Sequence, residues 1–264
     1  MDTDKVMRVV TWNVNSIRKR EEIVADWLRL HRPDVVLLQE TKVIDDKFPR
    51  ERIEALGYNL AIHGQPGLNG VAILSRHAID DVRCGLDGEP GDDQARYIEA
   101  RCGGLRVASI YVPNGTSIDS DKFDYKMRFF TRMEIRFREL MDNEEAFVLG
   151  GDYNVAPDPV DVYDPDACAG DICYHMDERR AFRRLLGLGI TDAFRAVHPT
   201  RRQFSWWDMR GGSWDRDEGM RIDHLLLSPE AVDRLDDADA DPTVRAGKGV
   251  SDHIPVWCNI ASAA

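Results

Sequence analysis

Residues 146–154 read AFVLGGDYN, and the direction in which this stretch runs decides the fold. It opens on a short apolar run and closes on Asp152 and Asn154. A run of that length, bounded by glycine and polar residues, is a buried strand rather than a helix. Its polar side chains stand at its C-terminal exit. Three other runs share the arrangement. MRVVTW (7–12) is followed by Asn13, DVVLLQ (34–39) by Glu40, and LRVASIYV (105–112) closes on Tyr111 and Asn114. Two later runs reverse it. Asp223 opens DHLLLS (223–228), and Asp252 and His253 precede IPVWCN (254–259). If all six meet at one rim, the last two strands run against the first four. That condition predicts mixed or antiparallel sheets, not a purely parallel doubly wound one.

Helices are read between the strands. In 121–142, Phe123, Met127, Phe130, Met133, Phe137, Leu140 and Met141 recur at spacings of three and four, the mark of an apolar helix face. Ile23, Val24, Trp27, Leu28 and Leu30 do the same in 21–31, and Pro33 stops that helix. Asp177 is the expected N-cap of a helix through RRAFRRLL that ends near Gly187. The Pro- and Asp-rich segment 156–175 reads as a loop. GVAILS (70–75) is a further strand.

Bulk properties limit the classes. The chain has 264 residues, 43% hydrophobic and 31% charged, which suits a globular protein with a sizeable core. A single domain over 1–264 is within range for a large α/β fold. No apolar run is long enough to span a membrane, and MDTDKVMRVV lacks the apolar segment of a secretory signal. The five cysteines are scattered without CxxC spacing, which argues against a disulfide framework and against zinc. A reducing cytoplasm is the expected compartment. The net charge of −12 argues against a polyanion-coating protein. It does not exclude a nucleic-acid enzyme, because carboxylates gathered for a metal add negative charge. The arginines at Arg18, Arg20, Arg179, Arg180, Arg183, Arg184, Arg201 and Arg202 alternate with acids and read as solvated faces.

The polar residues at the strand ends each have an ordinary and a chemical reading. Glu40 is a surface acid or a ligand for Mg²⁺ or Mn²⁺, hard ions that take one or two carboxylates. Asp152 and Asn154, at i and i+2, form an Asx turn, or share one side so that one takes a proton from water and the other donates to a phosphate. The two glycines before them permit a tight turn or a close backbone approach. Tyr111 is a core-edge aromatic or a phenol donor. In FSWWD (204–208), a strand would turn one tryptophan inward to pack and the other outward, where a ring near a phosphate site would be a wall. His253 is a satisfied histidine or a proton carrier, with a carboxylate to orient it.

In order along the chain, WNVNSIR, PDVVLLQETK, GYNLAIHGQ, NGVAILS, YVPNG, GGDYN, FSWWD, GMRIDHLLLS and SDHIPVW resemble the exonuclease III family of abasic-site endonucleases. That family is a branch of the endonuclease/exonuclease/phosphatase superfamily. The matching stretches run from about residue 8 to 258; the six residues before Met7 have no counterpart, which leaves Met7 as an alternative start. The resemblance implies a four-layer α/β sandwich of the DNase I type, two mixed sheets face to face with helices outside. It implies a Mg²⁺- or Mn²⁺-dependent phosphodiesterase that cuts duplex DNA 5′ to abasic sites, with 3′→5′ exonuclease and 3′-end-cleaning activity. A monomer acting on abasic or 3′-blocked duplex is expected, without a membrane partner. By position, Asp152 matches the acid that activates water, His253 the phosphate-polarising histidine, and Asp223 its paired carboxylate. Asn154 matches a phosphate contact and Tyr111 a residue near the leaving group. Glu40, Asn13 and Asp252 match the metal network. Trp206, Met220 and Ile222 match an apolar pocket for an extruded abasic sugar, and Asn114 and Lys122 match substrate contacts. Two competing readings are a phosphatase of the same superfamily on a non-DNA phosphoester, and a non-catalytic DNA-binding member. LQETK and RIDHLLLS favour the DNA-repair branch.

Overall fold

A computed structural model describes residues 6–262; the stretch before Met7 lies, apart from Val6, outside them. The first six-stranded sheet has the order β13-β14-β1-β2-β4-β3. It is built from β1 (Val6–Asn13), β2 (Val35–Gln39), β3 (Asn59–His63), β4 (Val71–Ser75), β13 (Leu235–Ala240) and β14 (Val256–Ala261). The second has the order β5-β6-β7-β8-β12-β9. Its strands are β5 (Ile79–Cys84), β6 (Tyr97–Cys102), β7 (Leu105–Tyr111), β8 (Phe147–Asp152), β9 (Thr191–Asp192) and β12 (Asp223–Leu227). A two-stranded ribbon, β10 (Trp206–Trp207) with β11 (Gly219–Met220), completes the strands. The helices that matter here are α1 (Glu21–His31), α2 (Arg50–Glu54), α3 (Asp121–Asp142), α4 (Met176–Leu186) and α5 (Ala193–Val197).

Side-chain alternation sorts each strand between two cores. Val9, Val35, Leu37, Val107, Val148, Leu225 and Leu227 meet between the sheets. Their sequence neighbours turn outward. Val10, Trp12, Val36 and Leu38 pack under Trp27 and Leu28 of α1, and Ala108, Ile110, Phe147, Leu149 and Leu226 pack under α3 and α4. Both faces of the central strands are therefore buried, which is why these runs are apolar throughout rather than alternating. The result is the expected four layers, helix, sheet, sheet, helix.

The strand directions are those the polar ends required. β1 is parallel to β2 and antiparallel to β14; β7 is parallel to β8, which is antiparallel to β12. The exits of four strands and the entries of two thus share one rim. Gly150 and Gly151 lie inside β8 rather than in a turn. A Cβ on Gly150 would stand 2.6 Å from Leu37 and 2.7 Å from Leu225, and one on Gly151 would stand 2.1 Å from the Ile110 carbonyl oxygen. Of the two uses open to those glycines, close approach is the one realised.

Two expectations are corrected. The N-cap of α4 is His175, not Asp177: its ring accepts from the Asp177 N–H, and Glu178 reaches back to the His175 N–H at 3.0 Å. Arg20 is buried rather than solvated, donating to the carbonyls of Asn15, Gly249 and Val250.

Candidate active site

Backbone register brings the second sheet's contribution to one level. Tyr111 pairs with Asp152 across β7 and β8, and Asp152 with Asp223 across β8 and β12. From the first sheet, Asn13 ends β1 and Glu40 follows β2. The segment before β14 is stitched to β1: Ser251 Oγ donates to the Asn13 carbonyl at 2.7 Å, and Trp12 Nε1 to that of His253 at 3.3 Å. Glu40 and Asn154 hold left-handed backbone at φ 51° and 52°, a costly conformation that recurs at functional sites.

The acids are held by named donors. The Asn13 amide donates to Glu40 Oε1 at 2.8 Å and to Asp152 Oδ2 at 2.9 Å, while Asp152 Oδ1 accepts the Asn154 N–H at 2.9 Å. Asn13 therefore bridges the two carboxylates through its NH₂ group. Lys42 sits 2.6 Å from Glu40 Oε2. His253 directs Nδ1 at Asp223, 2.9 Å from Oδ2, and leaves Nε2 3.7 Å from Asp152 Oδ2. Ser205 of the FSWWD stretch fixes Asp223 from behind, donating to its Oδ2 at 2.6 Å.

Electrostatics follow from burial and proximity. Burial opposes the charge on His253, but Asp223 first and Asp152 next outweigh it and raise the imidazole above its ordinary value. Burial also raises the Asp152 carboxyl, with Asp223 and Glu40 adding to the rise and His253 and Asn13 opposing it. Burial, then Glu40 and Asp152, push the Tyr111 phenol up, so it stays protonated as a donor. Burial resists ionisation of Asp252 as well. There His253, Asn15 and Trp206 win and hold the carboxyl below the usual range.

These groups open on a cavity of about 430 Å³. Glu40, Tyr111, Asn114, Asp152, Asn154, Asp252 and His253 line its polar side, and Trp206, Met220 and Ile222 its apolar side. Trp207 packs inward with Phe204 and Ile254, so the tryptophan pair divides as its strand alternation requires. Trp206 pairs with Met220 in the ribbon and bridges to His253, which ties the apolar wall to the polar rim. Asp252 joins them: its Oδ1 accepts from Asn15 at 2.9 Å and its Oδ2 from Trp206 Nε1 at 3.1 Å.

Asn13 and Asp223 stand just behind the lining. Lys122 is not brought in: it is exposed on the first turn of α3. Ile172 and Cys173 line the cavity from the 156–175 loop, and their residue types carried no signal of it. Asn15 and Ser205 lay inside the motifs WNVNSIR and FSWWD without being singled out.

Ligand atoms of Glu40, Asp152 and His253 lie within 4.8 Å of one another. Two hard oxygen donors beside an open cavity suit a divalent cation that keeps other positions for water and phosphate. The residues present therefore fit such an ion, with Glu40 as a carboxylate ligand and Asp152 beside it.

Residues 10–253 match the Endonuclease/Exonuclease/phosphatase family. Exodeoxyribonuclease III of Haemophilus influenzae is 33% identical over 263 residues, covering 95% of this chain and 98% of that protein. An AP endonuclease from Archaeoglobus fulgidus superimposes with a TM-score of 0.92 at 40% identity, over 96% of this chain and 98% of that one. A 3′ phosphatase from Neisseria, NExo, solved with a product DNA hairpin, does so at 0.94 and 40%, over 96% and 99%. Fold, convergent rim and full-length likeness agree: the chain belongs to the endonuclease/exonuclease/phosphatase family, and within it to the exonuclease III nucleases, metal-dependent hydrolases of DNA repair.

Proposed function

We propose that this nuclease hydrolyses duplex DNA 5′ to abasic sites and clears blocked 3′ ends, with Mg²⁺ or Mn²⁺ as its ion. The observation that carries the reading is the meeting of Asp152, His253 and Glu40 with the apolar wall of Trp206, Met220 and Ile222 around one cavity. A phosphodiester needs the polar side. A baseless sugar, which loses little stacking on extrusion, suits the apolar side.

Held by Glu40, with Asn13 and Asp252 in its network, the ion would supply Lewis-acid stabilisation of phosphate charge. The chain's own groups do the rest. Asp152 takes a proton from the attacking water; burial raises its basicity toward that task. His253, kept charged by Asp223, donates from Nε2 to a non-bridging oxygen. The Asn154 amide gives one hydrogen to the Val112 carbonyl at 2.9 Å and offers its second to the phosphate. The Tyr111 phenol donates to the departing 3′ oxygen. Asp252 serves the ion's network by holding Asn15 and Trp206, and Asn114 contacts substrate beside Asn154. Lys122, exposed at the start of α3, is kept as a backbone contact outside the cavity. The protein acts as a single-domain, cytoplasmic monomer. No helix of the described residues is long and apolar enough to cross a membrane.

The test is a duplex with one abasic analogue and a matched 3′-phosphate duplex, each with Mg²⁺, with Mn²⁺ and with chelator. Metal-dependent incision 5′ to the lesion is expected, and Asp152→Asn should lower the rate by roughly 10²–10⁴-fold, the usual worth of a general base. Turnover of a non-DNA phosphoester without DNA cleavage would overturn the reading.

A further inference from the structure

Lys126 has no role in the chemistry above, yet it is wholly buried beneath the site, as is Glu178. It interrupts the apolar face of α3, between Phe123 and Phe130. A lysine ammonium has three hydrogens to place, and each has an acceptor. One goes to Glu178 Oε1 on the first turn of α4, one to the Asn154 carbonyl at 2.8 Å, and one to the Asn114 carbonyl at 3.1 Å. Two of the three acceptors are thus backbone groups of residues that line the cavity.

Asn154 is the residue whose conformation needs holding. It is left-handed at φ 52°, and its N–H is the donor to Asp152 Oδ1. The same peptide stretch is therefore gripped at its carbonyl by Lys126 and grips the Asp152 carboxylate with its amide. Glu178 is anchored in turn, its other oxygen accepting the N–H of His175 at the start of α4. For stability alone, an apolar pair of similar volume would serve as well as a buried ion pair.

We propose that Lys126, fixed by Glu178, is a positioning residue for Asp152, acting through the backbone of Asn154. The kinetic consequence rests on the reading of Asp152 as the base; the structural consequence does not. The variant Lys126→Met with Glu178→Gln removes both charges, so no carboxylate is left buried alone. If that pair does not fold, Lys126→Gln with Glu178→Gln keeps an amide pair in the same space and is read identically. Single-turnover cleavage of the abasic duplex, measured well below the variant's melting temperature, should slow about 10- to 100-fold, the usual cost of losing a supporting contact. The KM for DNA should stay within about threefold, since Trp206 and Met220 are untouched. A crystal structure of the free variant should show Asn154 out of the left-handed region and its N–H away from Asp152. A single-turnover rate within threefold of wild type overturns the proposal whatever the loss in melting temperature, and so does an unmoved Asn154. If the wild type cuts neither DNA substrate, the proposed function fails, and the crystal structure alone decides this point.

Discussion

At the scale of single residues, His253 is defined by what faces it. Its Nδ1 is committed to Asp223, so its remaining N–H points to the cavity. Asp223 raises the histidine's pKa and also that of Asp152. Asp223→Asn should therefore lower kcat at least about tenfold, as loss of an orienting carboxylate does. It should also move both limbs of the pH–rate profile downward. The acid limb falls because Asp152 ionises more readily, and the alkaline limb because His253 loses its proton sooner. An unchanged profile would show that Asp223 serves only as structure. Glu40, Asp152 and His253 stood out in the sequence only as members of an ordered set, because a lone acid or histidine at a strand end has an ordinary structural reading. Lys126 was less legible. Its only mark was a cation at position i+3 from Phe123 on an apolar helix face, and burial cannot be inferred from one such interruption. Lys122, one residue before Phe123, drew attention instead.

At the scale of elements, the central strands announced themselves and the outer ones did not. β1, β2, β4, β7, β8 and β12 are covered on both faces, so their sequences are nearly unbroken apolar runs. β5 (IDDVRC) and β13 (LDDADA) are edge strands with exposed acids, which blunt pairing with other chains and erase the alternation a reader looks for. β6 (YIEARC) hides its signal differently. Its Glu99 is buried, paired with Arg106 and Arg136, so a core position carries a charge. β8 shows how tightly the layers meet. Gly150 faces Leu37 of one sheet and Leu225 of its own, and a methyl group there has no space. Gly150→Ala should destabilise the fold by about 1–3 kcal/mol, the range for overpacking, read from the denaturant midpoint at unchanged slope. Gly150→Val should cost more. A neutral Gly150→Ala would mean that the sheets part more easily than their packing indicates.

At the scale of the whole molecule, the active rim depends on a tie that passes behind it. Arg221, almost fully buried, donates to Asp161 from Nε at 2.7 Å and to Asp192, the cap of α5, from Nη1 at 2.7 Å. It sits between Met220 and Ile222, so this one guanidinium joins the 156–175 loop, the second sheet and the apolar wall. Arg195 adds a second contact to Asp161. Burial alone would raise both carboxyls, but Arg221 outweighs it at each, aided by Arg195 at Asp161 and His224 at Asp192, and both lie below their ordinary range. In the unfolded chain an aspartate titrates near pH ~3.9. Folded Asp161 and Asp192 stay ionised below that, so their stabilisation is complete above about pH 5 and is lost as pH falls toward their folded values. Two such groups give a slope of up to about 2.7 kcal/mol per pH unit once the unfolded pair is protonated. The urea midpoint should thus drop between pH about 5 and 3. Asp192→Asn should lower stability at pH 7 and flatten that drop, because one of the two linked protons no longer exists. Parallel curves for variant and wild type would place the acid sensitivity elsewhere, among the other carboxyls held low, such as Asp92 beside Arg132. The Arg221 cluster would then be a rigid tie with no part in acid unfolding.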